Sequence, residues 1–355
     1  MNYLLAFRFF SILAALTLAV HAAPTVEFPN AAQPQLATTA DGRVWLVYGR
    51  GQEVFVARSD DGGSTFAAPV LVANVPKLML GMRRGPRIAA HGNRVTVTIV
   101  AHELLAFHSA DGGRSWSAPV TINEIPRSAR EGLHDLAVGP AGQAFVTWLD
   151  LRNGKTELWG ADSADAGKTW GPNRQVRRSP DKSICECCHP TALFDAQGNL
   201  AVMWRDSIEG SRDLWIAMRT KGTREFSAAT KQGAGTWKLN ACPMDGGRIV
   251  ALGHGRFASV WQRAGEVFFA PGDGTEINLG PGKQPVALVR NGETLVFWQQ
   301  GTDLVFTQTP AGTNPAKYAA AARFPVLVPT VAGHSLLAYE QGPAKGATTV
   351  IVERL

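Results

Sequence analysis

The chain has 355 residues, 45% of them apolar, with 37 glycines and 21 prolines. Thirty-five basic and 29 acidic side chains leave a net charge of +6, too small a bias for a nucleic-acid binder. No internal run reaches the roughly 18 uninterrupted apolar residues of a membrane-spanning helix, so a soluble chain, expected to be a monomer, is the starting point.

The first 22 residues read as an export signal: Arg8 is their only charge, Phe9 to Val20 is a short apolar run, and Val20-His21-Ala22 offers a small-residue cleavage site. Residues 23–355 then form one expected domain, periplasmic or secreted. Thr25-Val26-Glu27-Phe28 follows as a short strand-like segment. From there the chain alternates β-branched and aromatic runs with glycine turns at Gly42, Gly92, Gly142, Gly198, Gly255, Gly292 and Gly333. Six residues after all but the second stands an aromatic: Tyr48, Trp148, Trp204, Trp261, Trp298 and Tyr339, with Thr98 in the second unit. The turn spacings of 37 to 57 residues bracket one four-stranded blade each. Units are expected to begin near Gln35, Pro86, Leu133, Pro190, Pro243, Gln284 and Pro325.

Three of these units carry a second repeat, Ser-x-Asp-x-Gly-x-Thr/Ser-aromatic. It runs through Ser59, Asp61, Gly63 and Phe66, then Ser109, Asp111, Gly113 and Trp116, then Ser163, Asp165, Gly167 and Trp170. Ser and Asp can bond turn amides, Gly permits positive φ, and the aromatic anchors the turn. The phrase resembles the Asp-box (BNR) repeat of sialidase-like β-propellers. The expected fold is all-β, a propeller of four-stranded antiparallel blades. The repeat count gives seven blades, with six, the sialidase number, as the alternative. The last unit holds three strands, so the N-terminal strand is expected to close the ring and remove its open edges.

In an up-and-down blade of strands A to D, the glycine turns join A to B and the Ser-x-Asp phrases join C to D. Both therefore mark one end of the ring. The resemblance implies that the ligand site lies at the other end, on the B–C and D–A loops. Those loops hold Arg83, Arg84, Arg87, Arg130, His134, Arg152, Arg205, Arg263 and Arg323. Arginine forks suit carboxylates, so these residues outline a funnel for an anionic glycan or small ligand. The alternative is that Arg–Asp pairs such as Arg205–Asp206 tie neighbouring blades. Sialidases hold a sugar carboxylate with three arginines, attack with a Tyr activated by Glu and use an Asp as acid/base. Arg87-Ile88 is a partial match to the family's early arginine signature. Asp135, Asp150 and Asp206 are the weak acid candidates, and no catalytic tyrosine stands out. Tyr339 and Glu340 are adjacent, and neighbours on a strand point to opposite faces.

All four cysteines fall in the same set of loops, in Cys185-Glu186-Cys187-Cys188-His189-Pro190 and Cys242-Pro243-Met244-Asp245. In an exported protein, disulfides are one reading. Pairing Cys242 with one cysteine of the first segment leaves two within three residues, which strains a bond. The other readings are a reactive thiol or a metal site. No cofactor is required by the sequence, yet the sulfurs with His189, Met244 or His134 form a soft set suited to Cu(I) or Zn(II). Three functions stay open: glycan or anion binding, glycoside hydrolysis, and metal handling.

Overall fold

The computed structural model describes residues 25–273, 275–290, 292–309, 314–331 and 333–355, so the expected export signal lies outside it. Among the described residues no helix is long and apolar enough to cross a membrane. Their 28 strands make seven four-stranded antiparallel sheets. We number these blades 1 to 7 in chain order and letter their strands A to D from the centre outward. The A strands are Ala32–Thr38, Arg87–His91, His134–Val138, Thr191–Phe194, Arg248–Gly253, Lys283–Arg290 and Ala322–Pro329. Each touches the A strands of both neighbouring blades, so the ring is complete: a seven-bladed β-propeller. Blade 7 takes its outer strand from the chain's start, where Val26–Pro29 pairs with Thr349–Arg354, Val26 opposite Val352.

The core is distributed as seven apolar clusters, one at each seam between blades. Leu336 and Val350 of blade 7 meet Leu46 and Tyr48 of blade 1, for example, and Val267 and Phe269 of blade 5 meet Val296 and Trp298 of blade 6. A blade therefore buries both faces, and its strands read as nearly continuous apolar runs rather than as an alternation. The repeated aromatics of the B strands fill these seams: Tyr48, Trp148, Trp204, Trp261, Trp298 and Tyr339 are all buried. In blade 2, Thr98 takes the position because His134 of blade 3 bonds back to it, Nε2 lying 3.1 Å from Thr98 Oγ1.

The three Ser-x-Asp turns explain their own residues. Gly63 N donates to Ser59 Oγ at 2.8 Å, and Asp61 receives the Ser59 hydroxyl and both the amide and hydroxyl of Thr65. The second and third turns repeat these bonds on Asp111 and Asp165. The Ser115 hydroxyl and amide, with Ser109, hold the Asp111 carboxyl well below the ordinary carboxylate range. Each turn also docks on strand B of the preceding blade. Trp45 Nε1 donates to Gly112 O at 3.1 Å, Thr96 Oγ1 donates to Ala166 O, and Gly63 sits on Leu336. A Cβ at Gly63 would lie 2.5 Å from Leu336, so close approach as well as a φ of +92° selects glycine.

Blade 5 starts later than its sequence suggests. Its A strand opens at Arg248, after Gly246-Gly247, and the Cys242-Pro243 segment runs outside the sheet. Ring closure gives a measurable expectation. Phe28 packs against Tyr48 and Phe66 with ring centroids 5.4 and 5.8 Å away. Phe28→Ala should lower unfolding stability by about 3–5 kcal/mol in chemical denaturation, without changing the far-ultraviolet dichroism of the native state.

Candidate functional site

Strand order places the A–B turns and the Ser-x-Asp turns at one end of the ring and the B–C and D–A loops at the other. Between them the A strands enclose a channel of about 200 Å³. Its polar centre is Asp135, which meets Arg87 Nε at 3.3 Å and Arg248 Nη1 at 3.1 Å and accepts the Ala192 amide at 3.0 Å. The Arg87 Nη nitrogens donate to the carbonyls of Arg83, Gly85 and Pro86. Burial lowers the Arg87 guanidinium to about 10, against the opposing pull of Asp135.

Toward the loop end the channel is closed. In blades 1, 2, 4, 6 and 7 a proline (Pro34, Pro86, Pro190, Pro285, Pro325) stands at the inner edge, where a missing N–H costs no ladder bond. Gly85 and Gly246 are required by crowding at this level: a Cβ on Gly85 would fall 2.1 Å from Gln33 Cβ, and one on Gly246 would fall 1.7 Å from the His189 carbonyl oxygen. Arg83 then spans the ring. It donates Nε to Gln284 Oε1 at 2.6 Å, Nη1 to Pro325 O at 3.0 Å and Nη2 to Gln284 O at 3.3 Å. Only 2% of Arg83 is exposed, and burial lowers its guanidinium to about 9.

The same inner edge builds an open cavity above blades 6, 7 and 1. In each of these blades a bulge interrupts the A–B pairing, between Lys283 and Val286, Arg323 and Val326, and Ala32 and Gln35. Gln284, Phe324 and Gln33 take positive φ there. The bulge carries Lys283, Arg323 and Ala32 past the channel onto the loop face, where they line a cavity of about 620 Å³ with Met82, Gln299 and Glu340. Arg323 Nε reaches Glu340 at 3.0 Å, and Glu340 also accepts the Gln33 amide at 2.7 Å. Lys283 is exposed, and its ammonium has no hydrogen-bond or ion-pair partner among the described residues.

The remaining site residues expected from sequence are placed as follows. Arg152 lies 3.5 Å over the Trp159 ring and bonds Asp150 with two nitrogens. Arg263 grips Glu276, Arg84 Nε donates to Glu131 O at 2.7 Å, and Arg130 is exposed. Asp150 and Asp206 are fully buried acceptors of indole hydrogens, from Trp148 at 2.7 Å and Trp204 at 3.3 Å. Most of these arginines are engaged within the fold: Arg152, Arg263 and Arg323 pair with carboxylates of their own blades, Arg87 joins Asp135 across blades 2 and 3, and Arg205 bonds carbonyls rather than Asp206. Tyr318 and Tyr339 both donate to Glu353 inside the blade 6–7 seam. Burial and that carboxylate raise both phenols above their ordinary value, which keeps them protonated. Arg248, absent from the sequence expectation, is a channel residue because blade 5 opens at it.

All four cysteines are free thiols. Cys185, Cys187 and Cys188 gather in a buried group, with Cys185 Sγ 3.6 Å from Cys187 Sγ and 3.3 Å from Cys188 Sγ. Cys242 is exposed and stands apart from them. Hydrogen bonding with Cys187 and Cys188 pulls the Cys185 thiol below its ordinary value, and burial with that first ionisation pushes Cys188 up. His189 is engaged elsewhere: Nδ1 accepts Gly246 N at 3.3 Å and Nε2 lies 3.2 Å from Gly247 O.

No protein-family model matches the chain, and no curated protein does. A protein of unknown function from Dyadobacter fermentans is similar over 94% of this chain and 98% of its own, at 15% identity and a TM-score of 0.55. The likeness is one of fold. Two further solved structures are the Trypanosoma rangeli sialidase in complex with sialic acid and the Aleuria aurantia lectin in complex with Fucα1-6GlcNAc. The sialidase matches 91% of this chain at 12% identity and a TM-score of 0.47, and only 54% of its own length is covered. The lectin matches 81% of this chain and 95% of its own, at 12% identity and a TM-score of 0.49.

The histidine buried at the seam of blades 2 and 3 yields a pH expectation. His134 is wholly buried, and desolvation, followed by the nearby Arg87 charge, lowers its pKa to about 3. The unfolded chain takes up this proton below about 6.5 while the folded chain does not, so stability is full above 6.5 and falls as pH drops toward 3. Between pH 6.5 and 5, His134→Gln should remove roughly 2 kcal/mol of the acid-induced loss. Urea unfolding of both proteins across that range measures the difference.

Proposed function

We propose that this chain is an exported binding propeller that takes a small anionic ligand, such as an acidic sugar terminus, in the cavity above blades 6, 7 and 1. The observation that carries the reading is Lys283, an exposed and unpartnered cation raised onto the loop face by the blade 6 bulge. Beside it, Arg323 and Glu340 balance each other, so the lining keeps one excess positive charge. Met82, half exposed, and Phe324 supply apolar surface for a sugar face. The volume falls within the range of small-molecule sites.

Binding is favoured over hydrolysis by the chemistry of the lining. Among the described residues Glu340 is its only carboxylate, already paired with Arg323 and Gln33, and no tyrosine or aspartate reaches it. Asp150 and Asp206 hold indoles, and Asp135 lies in the channel between two arginines.

Calorimetric titration in low salt with N-acetylneuraminate and glucuronate, against galactose and glucose, tests this. The acidic sugars should bind in preference, with no release from a fluorogenic sialoside. Lys283→Ala should weaken that binding about tenfold, the equivalent of 1.4 kcal/mol. Equal binding of neutral sugars, or no effect of Lys283→Ala, would sink the proposal.

A further inference from the structure

We infer that Cys185, Cys187 and Cys188, with the thioether of Met244 packed against them, form a buried site for a single Cu(I) ion. The inference is independent of the loop-face cavity. Three thiols within four residues turn inward together, their sulfurs within 4.8 Å of one another, at the start of blade 4. Thiolate–metal bonds of about 2.3 Å place the sulfurs of one ion about 3.8–4.0 Å apart. The observed 3.3 and 3.6 Å contacts need only a few tenths of an ångström of expansion.

Charge supplies the second argument. Arg205 is 99% buried beside these sulfurs, yet it bonds only carbonyls: Asp245 O at 3.0 Å, Arg212 O and Gln262 O at 2.8 Å. No carboxylate pairs with it among the described residues, although a buried cation is costly without a counter-charge. Arg212 also faces the thiol group, and its one carboxylate partner is the half-exposed Glu186. Cu(I) held by three thiolates carries a net charge of −2, which these two guanidiniums offset; the displaced thiol protons pass to solvent.

Donor chemistry selects the ion. Thiolate and thioether ligands favour soft Cu(I), whereas structural Zn(II) wants four ligands from Cys, His or carboxylate. Among the described residues no fourth group of that kind joins the three sulfurs. His189, the nearest in sequence, has both ring nitrogens engaged with blade 5 backbone. The fourth neighbour is Met244. Its φ of +59° is uncommon for a residue with a side chain, and Gln284 Nε2 fixes it by donating to its carbonyl at 2.7 Å. That conformation holds the side chain against the cluster.

The test uses the full mature chain, reduced and handled without oxygen, titrated with Cu(I) in competition with bathocuproine disulfonate. One ion per chain should be retained, with a sulfur-only shell in copper X-ray absorption. Cys187→Ser with Cys188→Ser should abolish retention. Met244→Leu, which preserves packing volume, should weaken it about tenfold, and Cys242→Ser should leave it unchanged. Three results would overturn the assignment: no stoichiometric ion, loss of binding in Cys242→Ser alone, or Zn(II) retained in preference to Cu(I). A metal-free intramolecular disulfide among the three cysteines, in protein isolated anaerobically from its own compartment, would also overturn it.

Discussion

Every blade of this propeller has two apolar faces and no means of covering either alone. Its stability is therefore a property of seams, and a row of seams has no exposed end only if it is a ring. The chain meets that constraint by returning Val26–Pro29 to the outer edge of the last blade. It reinforces the seams from 7 to 3 with the Ser-x-Asp turns, each docked on strand B of the blade before it. The phrase that dominates the sequence is thus a fastening between neighbours, and it sits at the end of the ring away from the polar loops.

The closed ring in turn decides which polar residues are free to act. The centre is too narrow for an open funnel, so Asp135 pairs there with Arg87 and Arg248, and Arg83 is satisfied by Gln284 and Pro325. Where the A strands are prolonged by bulges, in blades 6, 7 and 1, the same edge emerges on the loop face and leaves Lys283 unpartnered. Between blades 4 and 5, where the channel edge is carried by His189 and Gly246, the loops fold inward and bury three thiols. One inner rim thus supplies a plug, a cavity and a thiol cluster according to local chain length.

The fold was legible because it is written locally. The seven turn glycines, the aromatic six residues on and the three phrases each fix a hairpin, and seven hairpin pairs with a borrowed strand make the ring. The site was legible only in part, because the partner of an arginine is chosen across blades. Arg83 meets Gln284, 201 residues away, and no local pattern announces it. Other features are local to the sequence and follow from strand register. Trp148 and Asp150 are two residues apart on one strand and share a face, and Asp206 repeats the spacing from Trp204 just past its strand's end, which already points to an indole acceptor rather than an acid catalyst. Tyr339 and Glu340 point apart, and Tyr339 finds Glu353 on the adjacent strand instead. The proline at the inner edge of five blades marks the channel rim, and placing the start of blade 5 near Pro243 hid Arg248.

Arg83 also changes the mechanics of the molecule. A ring held only by neighbour contacts opens like a bracelet once any one seam yields. A side chain rooted beside blade 2 and bonded to blades 6 and 7 is a spoke across the hub. With that spoke in place, fraying at the outer edge of blade 7, where Val26–Pro29 pairs with Thr349–Arg354, does not by itself release the far side of the wheel, so loss of the closing strand and collapse of the hub become separable events.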